Sequence, residues 1–198
     1  MQKAVSHLKK EDPVLSAIIQ KVGPFKMQFA EPGFHSLAEA IVYQQLHGKA
    51  AATIFSRFVA AAGDPLTPDR ILKLSVDKMR SVGLSMQKTS YLRDMAERTK
   101  SGQVDFAIVS NLSDEEVVEH LTQVKGVGEW TAQMFLMFNL RRHNVLPTTD
   151  FGIRTAIKQH YKLRELPKPK EMEKIARRWE PYRSIACWYL WQSLDMNK

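Results

Sequence analysis

The 198-residue chain has almost no cysteine: Cys187 stands alone. A lone thiol can neither close an internal disulfide nor supply the four thiolates of a zinc or iron–sulfur site. Nowhere does the sequence approach the roughly 18 unbroken apolar residues of a membrane-crossing helix. Its opening, Met1-Gln2-Lys3-Ala4-Val5-Ser6-His7, runs into charged sequence instead of the apolar core of a secretion signal. The expectation is a protein with no membrane partner, working inside the cell. Acidic residues are also scarce, 21 Asp and Glu against 29 Lys and Arg, for a formal charge of +8. The imbalance is local, because residues 141–183 hold 12 Lys or Arg against 5 acids, a surplus of +7. A clustered basic face attracts an anionic partner such as nucleic acid, although a solvated basic surface would leave the same count.

Also missing is any stretch of strict apolar/polar alternation, the signature of a half-buried strand. Apolar residues recur instead at helical spacing nearly throughout, so the expected fold class is all-α. The pattern places helices at about 14–21, 36–45, 49–62, 68–74, 76–81, 86–99, 114–123, 129–140, 151–161, 170–178 and 184–194. Local punctuation agrees with it. Gly63-Asp64-Pro65 ends one helix, Gly83 ends another with Ser85 capping the next, and Ser113 followed by Glu116 has the spacing of a capping box. Leu166-Pro167-Lys168-Pro169 is a stiff connector. There is no repeat, low-complexity tract or flexible linker, and 44% hydrophobic residues suffice for a core.

The most specific stretch is Lys125-Gly126-Val127-Gly128, between a helix ending Leu121-Thr122-Gln123-Val124 and one opening Glu129-Trp130-Thr131-Ala132. The first glycine can take positive φ, Val127 plugs the gap between the helices, and the second lets an anion approach the N–H groups of a helix start. A phosphate held this way is bound without sequence readout. By itself, a Gly-x-Gly turn between helices is common and need bind nothing. Asp150 follows Pro147-Thr148-Thr149, lies 22 residues beyond Gly128 and precedes an apolar face read as Phe151, Ile153 and Ile157. In isolation it is an ordinary N-cap.

Together these residues resemble the helix-hairpin-helix superfamily of base-excision DNA glycosylases, specifically the 3-methyladenine DNA glycosylase II branch of bacteria and fungi, over about residues 12–195. The resemblance implies a helix-hairpin-helix glycosylase fold: two packed helical lobes with a cleft between them in a single glycosylase unit. One lobe would take about residues 34–128, the other about 1–33 plus 129–198. It makes Asp150 the catalytic carboxylate. Breaking an N-glycosidic bond builds positive charge on the deoxyribose, so an anion beside C1′ stabilises the transition state and can orient or deprotonate the attacking water. A purine alkylated to a cation leaves without an added proton. Trp130 stands where the lyase branches carry an attacking lysine; an indole forms no Schiff base, which implies the monofunctional branch.

Trp130 and Trp191 are the base-pocket candidates, Trp191 also because it matches a pocket tryptophan of that family, with Tyr43, Phe25, Tyr189 and Trp188 in second rank. Indole faces attract a cationic ring, but core packing accounts equally for Trp188 and Trp191, three apart on one helix face. In Gln44-Gln45-Leu46-His47-Gly48-Lys49, a break between helices, Leu46 resembles the family's wedge, filling the hole left by a flipped base, with His47 in the minor groove beside it. Lys125, Gly126, Val127, Gly128, Thr131 and Arg154 are further expected DNA contacts, with Arg141 and the turn at 83–88 as weaker candidates. Main-chain carbonyls of Thr122, Val124 and Val127 match the family's positions for a monovalent cation, sodium or potassium; no cofactor enters the chemistry. The implied function is excision of alkylated purines, 3-methyladenine first, from double-stranded DNA containing damaged bases. A monomer is implied, in the bacterial cytoplasm with the nucleoid or in a eukaryotic nucleus. Two alternatives stay open: a non-catalytic lesion-binding protein with the same hairpin, and a glycosylase for another damaged or mismatched base.

Overall fold

The computed structural model describes residues 1–46 and 48–195, and every regular element among them is helical. In chain order the α-helices are α1 (Gln2–Glu11), α2 (Pro13–Val22), α3 (Phe34–Tyr43), α4 (Gly48–Ala62), α5 (Pro68–Lys73) and α6 (Val76–Ser81). They continue with α7 (Met86–Lys100), α8 (Asp114–Thr122), α9 (Glu129–Phe138), α10 (Phe151–His160), α11 (Pro169–Ala176) and α12 (Arg183–Asp195). Short 3-10 turns lie at Val109–Asn111 and Arg177–Trp179. None of the described helices is long and apolar enough to cross a membrane. The chain divides into two compact units, a terminal one formed by residues 1–29 and those from 141 onward, and a central one of residues 30–140.

In the terminal unit, α12 is the central helix: Ser184 through Leu190 are all buried, and it packs against α2 and α10. The junction of α1 and α2 is tied by one fully buried carboxylate. Asp12 Oδ1 accepts from the N–H groups of Val14 (3.0 Å) and Leu15 (3.1 Å), capping α2, while Pro13 fills the first turn, where no N–H is needed. Oδ2 accepts from the Tyr161 hydroxyl and from the Trp179 indole at 2.8 Å. Burial, reinforced by the hydrogen bond and charge of Asp12, pushes the Tyr161 phenol pKa up, so it stays a donor. The helix α1 escaped the sequence pattern because only Ala4 and Leu8 of it are buried and no side chain caps its start.

In the central unit, α7 packs against α3, α5 and α6, α3 against α4, and α8 against α9. Leu37, Ile41, Phe58, Ile71, Met79, Leu92 and Met95 are buried in its core. The N-caps Thr67, Ser75, Ser85 and Ser113 each accept from the backbone N–H three residues on. At α8 the box is closed by Glu116, whose carboxylate accepts from Ser113 N–H at 2.7 Å, as the spacing of the two residues predicts.

Three readings need correction. The helix 36–45 is α3, which starts earlier and stops at Tyr43, since Gln44 turns extended and Gln45 takes a left-handed φ of 56°. Residues 129–140, assigned in the sequence to the lobe of the chain ends, belong to the central unit because α9 packs on α8. Phe151 does not share the apolar face of α10: it is 69% exposed, whereas Ile153, Ala156 and Ile157 are buried. Positions 151 and 153 lie on nearly opposite sides of a helix with 3.6 residues per turn.

Candidate functional site

The hairpin in the central unit is built around two glycines with different duties. Gly126 has φ +82°, and a Cβ on it would fall 2.1 Å from the Tyr91 ring. Val127 is buried and its N–H donates to Val124 O at 3.0 Å. Gly128 is the N-cap of α9, extended at φ −95°, with no side chain capping the helix and nothing within 4 Å of a Cβ position. Gly128 offers the start of α9 no side-chain cap, and a glycine-capped helix start is the arrangement that can receive an anion. Lys125 contributes less main chain than expected, since its N–H donates to Asp94 Oδ2 at 2.7 Å, an oxygen also held by Arg98. Its ammonium-bearing side chain is on an exposed residue.

A second turn is tied to this hairpin. The Gln44 amide donates to Gly126 O at 2.9 Å, and Leu46, half-buried, borders a pocket of about 540 Å³ with Gln45, Ser85, Gln87, Tyr91 and Thr131. Thr131 is buried in that wall. Lys88, in the turn at 83–88, spends its ammonium on Val42 O at 2.7 Å, and burial lowers its pKa. His47 lies outside the described residues. Trp130, at the second position of α9, is 43% exposed. Tyr43 packs edge-to-face on Phe55, and burial, then Glu39, raises its pKa. No group of three His, Cys, Asp or Glu among the described residues can hold a metal, and the cation site that the resemblance implies is made of main-chain carbonyls. The carbonyls of Thr122, Val124 and Val127 suit this chemically: Thr122 ends α8, where carbonyls lack helical partners, and Val124 O accepts one hydrogen bond but has two lone pairs.

In the terminal unit, a turn closed by Asp150 N–H to Pro147 O (3.1 Å) delivers Asp150 to the N-cap of α10. Its Oδ1 accepts from Ile153 N–H at 2.7 Å and from the Trp191 indole at 2.9 Å, and the residue keeps 8% of its surface exposed. It is thus both a cap and the partner of an aromatic residue from α12. Cys187, one turn before Trp191, is fully buried; burial and then the Asp150 charge push its thiol pKa up, so it supplies no thiolate.

The paired tryptophans go separate ways. Trp188 is buried against Phe25 (4.7 Å between ring centroids) and Tyr189 (4.9 Å), so the sequence candidates Phe25, Trp188 and Tyr189 form a packing cluster, while Trp191 donates to Asp150. Arg154, expected at a phosphate, is half-buried and donates through Nε to Pro167 O at 3.0 Å, pinning the proline connector to α10. The Arg141 guanidinium lies 5.4 Å from the Phe29 ring centre. Sequence reasoning passed over Gly152 and Tyr91. A Cβ on Gly152 would meet Trp191 at 3.1 Å and Asp150 Oδ1 at 3.2 Å, and Tyr91 is the residue that makes Gly126 obligatory. Neither signal is local, since Trp191 lies far along the chain from Gly152 and Tyr91 far from Gly126.

Residues 38–181, which include both the hairpin and Asp150, match the family described as HhH-GPD superfamily base excision DNA repair protein. The chain belongs to the HhH-GPD superfamily. This HhH-GPD chain is 36% identical over 200 residues to DNA-3-methyladenine glycosylase 1 of Schizosaccharomyces pombe, across 98% of this chain and 87% of that relative. A solved structure of the Schizosaccharomyces pombe 3-methyladenine DNA glycosylase in complex with abasic DNA resembles it with a TM-score of 0.84 and 35% identity, over 96% of this chain and 95% of that one. The crystal structure of a DNA-3-methyladenine glycosidase from Bacillus halodurans gives a TM-score of 0.83 and 34% identity, over 95% and 87% of the two chains.

Proposed function

We propose that this HhH-GPD protein is a monofunctional DNA glycosylase that excises alkylated purines, 3-methyladenine first, from damaged double-stranded DNA. The observation that carries the reading is the Asp150 carboxylate, a buried charge held at the start of α10 by a backbone N–H and by the indole N–H of Trp191. As the C1′–N bond breaks, its electron pair leaves with the cationic base, which departs neutral. Positive charge on the sugar is stabilised by the fixed carboxylate. Water adds to C1′ and passes its proton to the Asp150 carboxylate, and the DNA strand stays whole because Trp130 offers no amine. The glycine-capped start of α9 is proposed to grip a backbone phosphate, Leu46 to fill the vacated stack, and Trp191 to wall the base beside the carboxylate. A sodium or potassium ion on the carbonyls of Thr122, Val124 and Val127 would stiffen the hairpin without entering the chemistry. The protein is proposed to act as a monomer where genomic DNA is housed, in a bacterial cytoplasm or a nucleus.

Purified protein incubated with methylated duplex DNA is expected to release free 3-methyladenine, with Asp150→Asn abolishing release while leaving affinity for an abasic duplex near that of the parent. Full turnover by that variant would remove Asp150 from the chemistry. Tight abasic-duplex binding with no release from any of a panel of lesions would make the protein a lesion binder instead.

A further inference from the structure

Gly152 occupies the second position of α10, inside a helix, where no positive φ calls for glycine and where alanine is the better helix former. What distinguishes the position is its neighbours. A Cβ would stand 3.1 Å from Trp191 Cδ1, 3.2 Å from Asp150 Oδ1 and 3.3 Å from Trp191 Nε1. Two of these atoms are the donor and acceptor of the 2.9 Å hydrogen bond between the indole and the carboxylate. A methyl group at 152 would press on both ends of that bond, and a shift of a few tenths of an ångström takes such a contact out of the good range of about 2.7–3.2 Å. The second donor to Oδ1, Ile153 N–H, belongs to α10 itself, so the cap by itself survives the change. The indole, which comes from α12, does not.

We infer that Gly152 is a positioning residue for glycosidic cleavage: by lacking a Cβ it lets the Trp191 indole lie against the start of α10 and fix the orientation of the Asp150 carboxylate. Trp191 then serves the reaction as a hydrogen-bond donor to the carboxylate as well as through its ring. This inference rests on the assignment of Asp150 to the chemistry in the proposed function. It predicts an uncommon combination, a glycine whose replacement leaves the helix as stable or more stable and the reaction slower.

The test compares the parent protein, Gly152→Ala, Trp191→Phe and the double variant. It reads kcat and KM for 3-methyladenine release, affinity for abasic duplex, Tm, and the indole N–H resonance of Trp191 in nitrogen-15 spectra. For Gly152→Ala, kcat is expected to fall about tenfold, the scale set by one hydrogen bond to a charged group. KM and abasic affinity stay within about twofold, Tm does not fall, and the Trp191 resonance moves. Trp191→Phe, which keeps a ring but drops the N–H, loses a comparable factor, and the double variant is no slower than the slower single one. An unmoved indole resonance in Gly152→Ala, an unchanged kcat, or losses that multiply in the double variant would overturn the inference. If the parent protein releases no base at all, the proposed function fails, while the indole resonance still decides whether Gly152 controls the contact.

Discussion

Replacing Gly126 by alanine separates the two duties of the hairpin glycines. The backbone there has φ +82°, and a left-handed conformation costs an L-residue about 1–2 kcal/mol. The new Cβ would also fall 2.1 Å from the Tyr91 ring, so that ring must move, disrupting the 2.6 Å hydrogen bond that the Gln87 amide donates to its hydroxyl. Such overpacking adds about 1–3 kcal/mol. The sum, about 2–5 kcal/mol, corresponds to a fall in Tm of about 4–20 °C for a chain of this size. At Gly128 the arithmetic differs, because φ is −95° and nothing lies within 4 Å of a Cβ, so Gly128→Ala should unfold within a few degrees of the parent. Its effect is expected in binding: a methyl group at the start of α9 should weaken affinity for an abasic duplex by tenfold or more. Thermal unfolding and fluorescence anisotropy titration read the two quantities separately. Adding Tyr91→Ala to Gly126→Ala should recover the steric share of the loss and not the conformational share. A Gly126→Ala protein as stable as the parent would refute the steric argument, and a Gly128→Ala protein with full affinity would refute phosphate capture by the hairpin.

Asp12→Asn should lower unfolding free energy by about 2–4 kcal/mol, because its amide turns a donor toward groups that themselves donate, Tyr161 and Trp179 among them; unchanged urea unfolding would show that the carboxylate is not the tie described. A pH effect follows from His160, whose pKa burial, and then Lys21, holds below its ordinary value of 6.5, with Nε2 2.9 Å from the Ser193 hydroxyl. The unfolded chain then binds more protons in the window just below 6.5, so this contribution is complete above that pH and is lost as pH falls toward the folded-state value. His160→Gln keeps a donor for Ser193 without titrating, so its Tm should fall less than the parent's between about pH 7.5 and 5.5, and parallel curves would exclude the effect.

Helix type, several helix starts and the hairpin were legible in the residues because each depends on neighbours within about one turn. Ser85 caps α7 and Ser113 closes a box with Glu116 through contacts three residues long, and the left-handed Gly126 follows from the local pattern Gly-x-Gly. The identity of Asp150 as an N-cap was local in the same way, while its link to chemistry came from the family pattern. Contacts between distant segments were not legible. Nothing near Asp150 announces that Trp191, 41 residues on, will donate to it while Trp188 turns to Phe25, nor that Gly152 must be bare for that contact to form. Arg154, read as a DNA contact, has Pro167 O in front of its Nε, and the buried Asp12 accepts from Trp179, 167 residues away. Periodicity reports how much of a helix is apolar and roughly which side; the partner that side meets is set by the packing of other helices, and that packing decided which residues accompany the carboxylate.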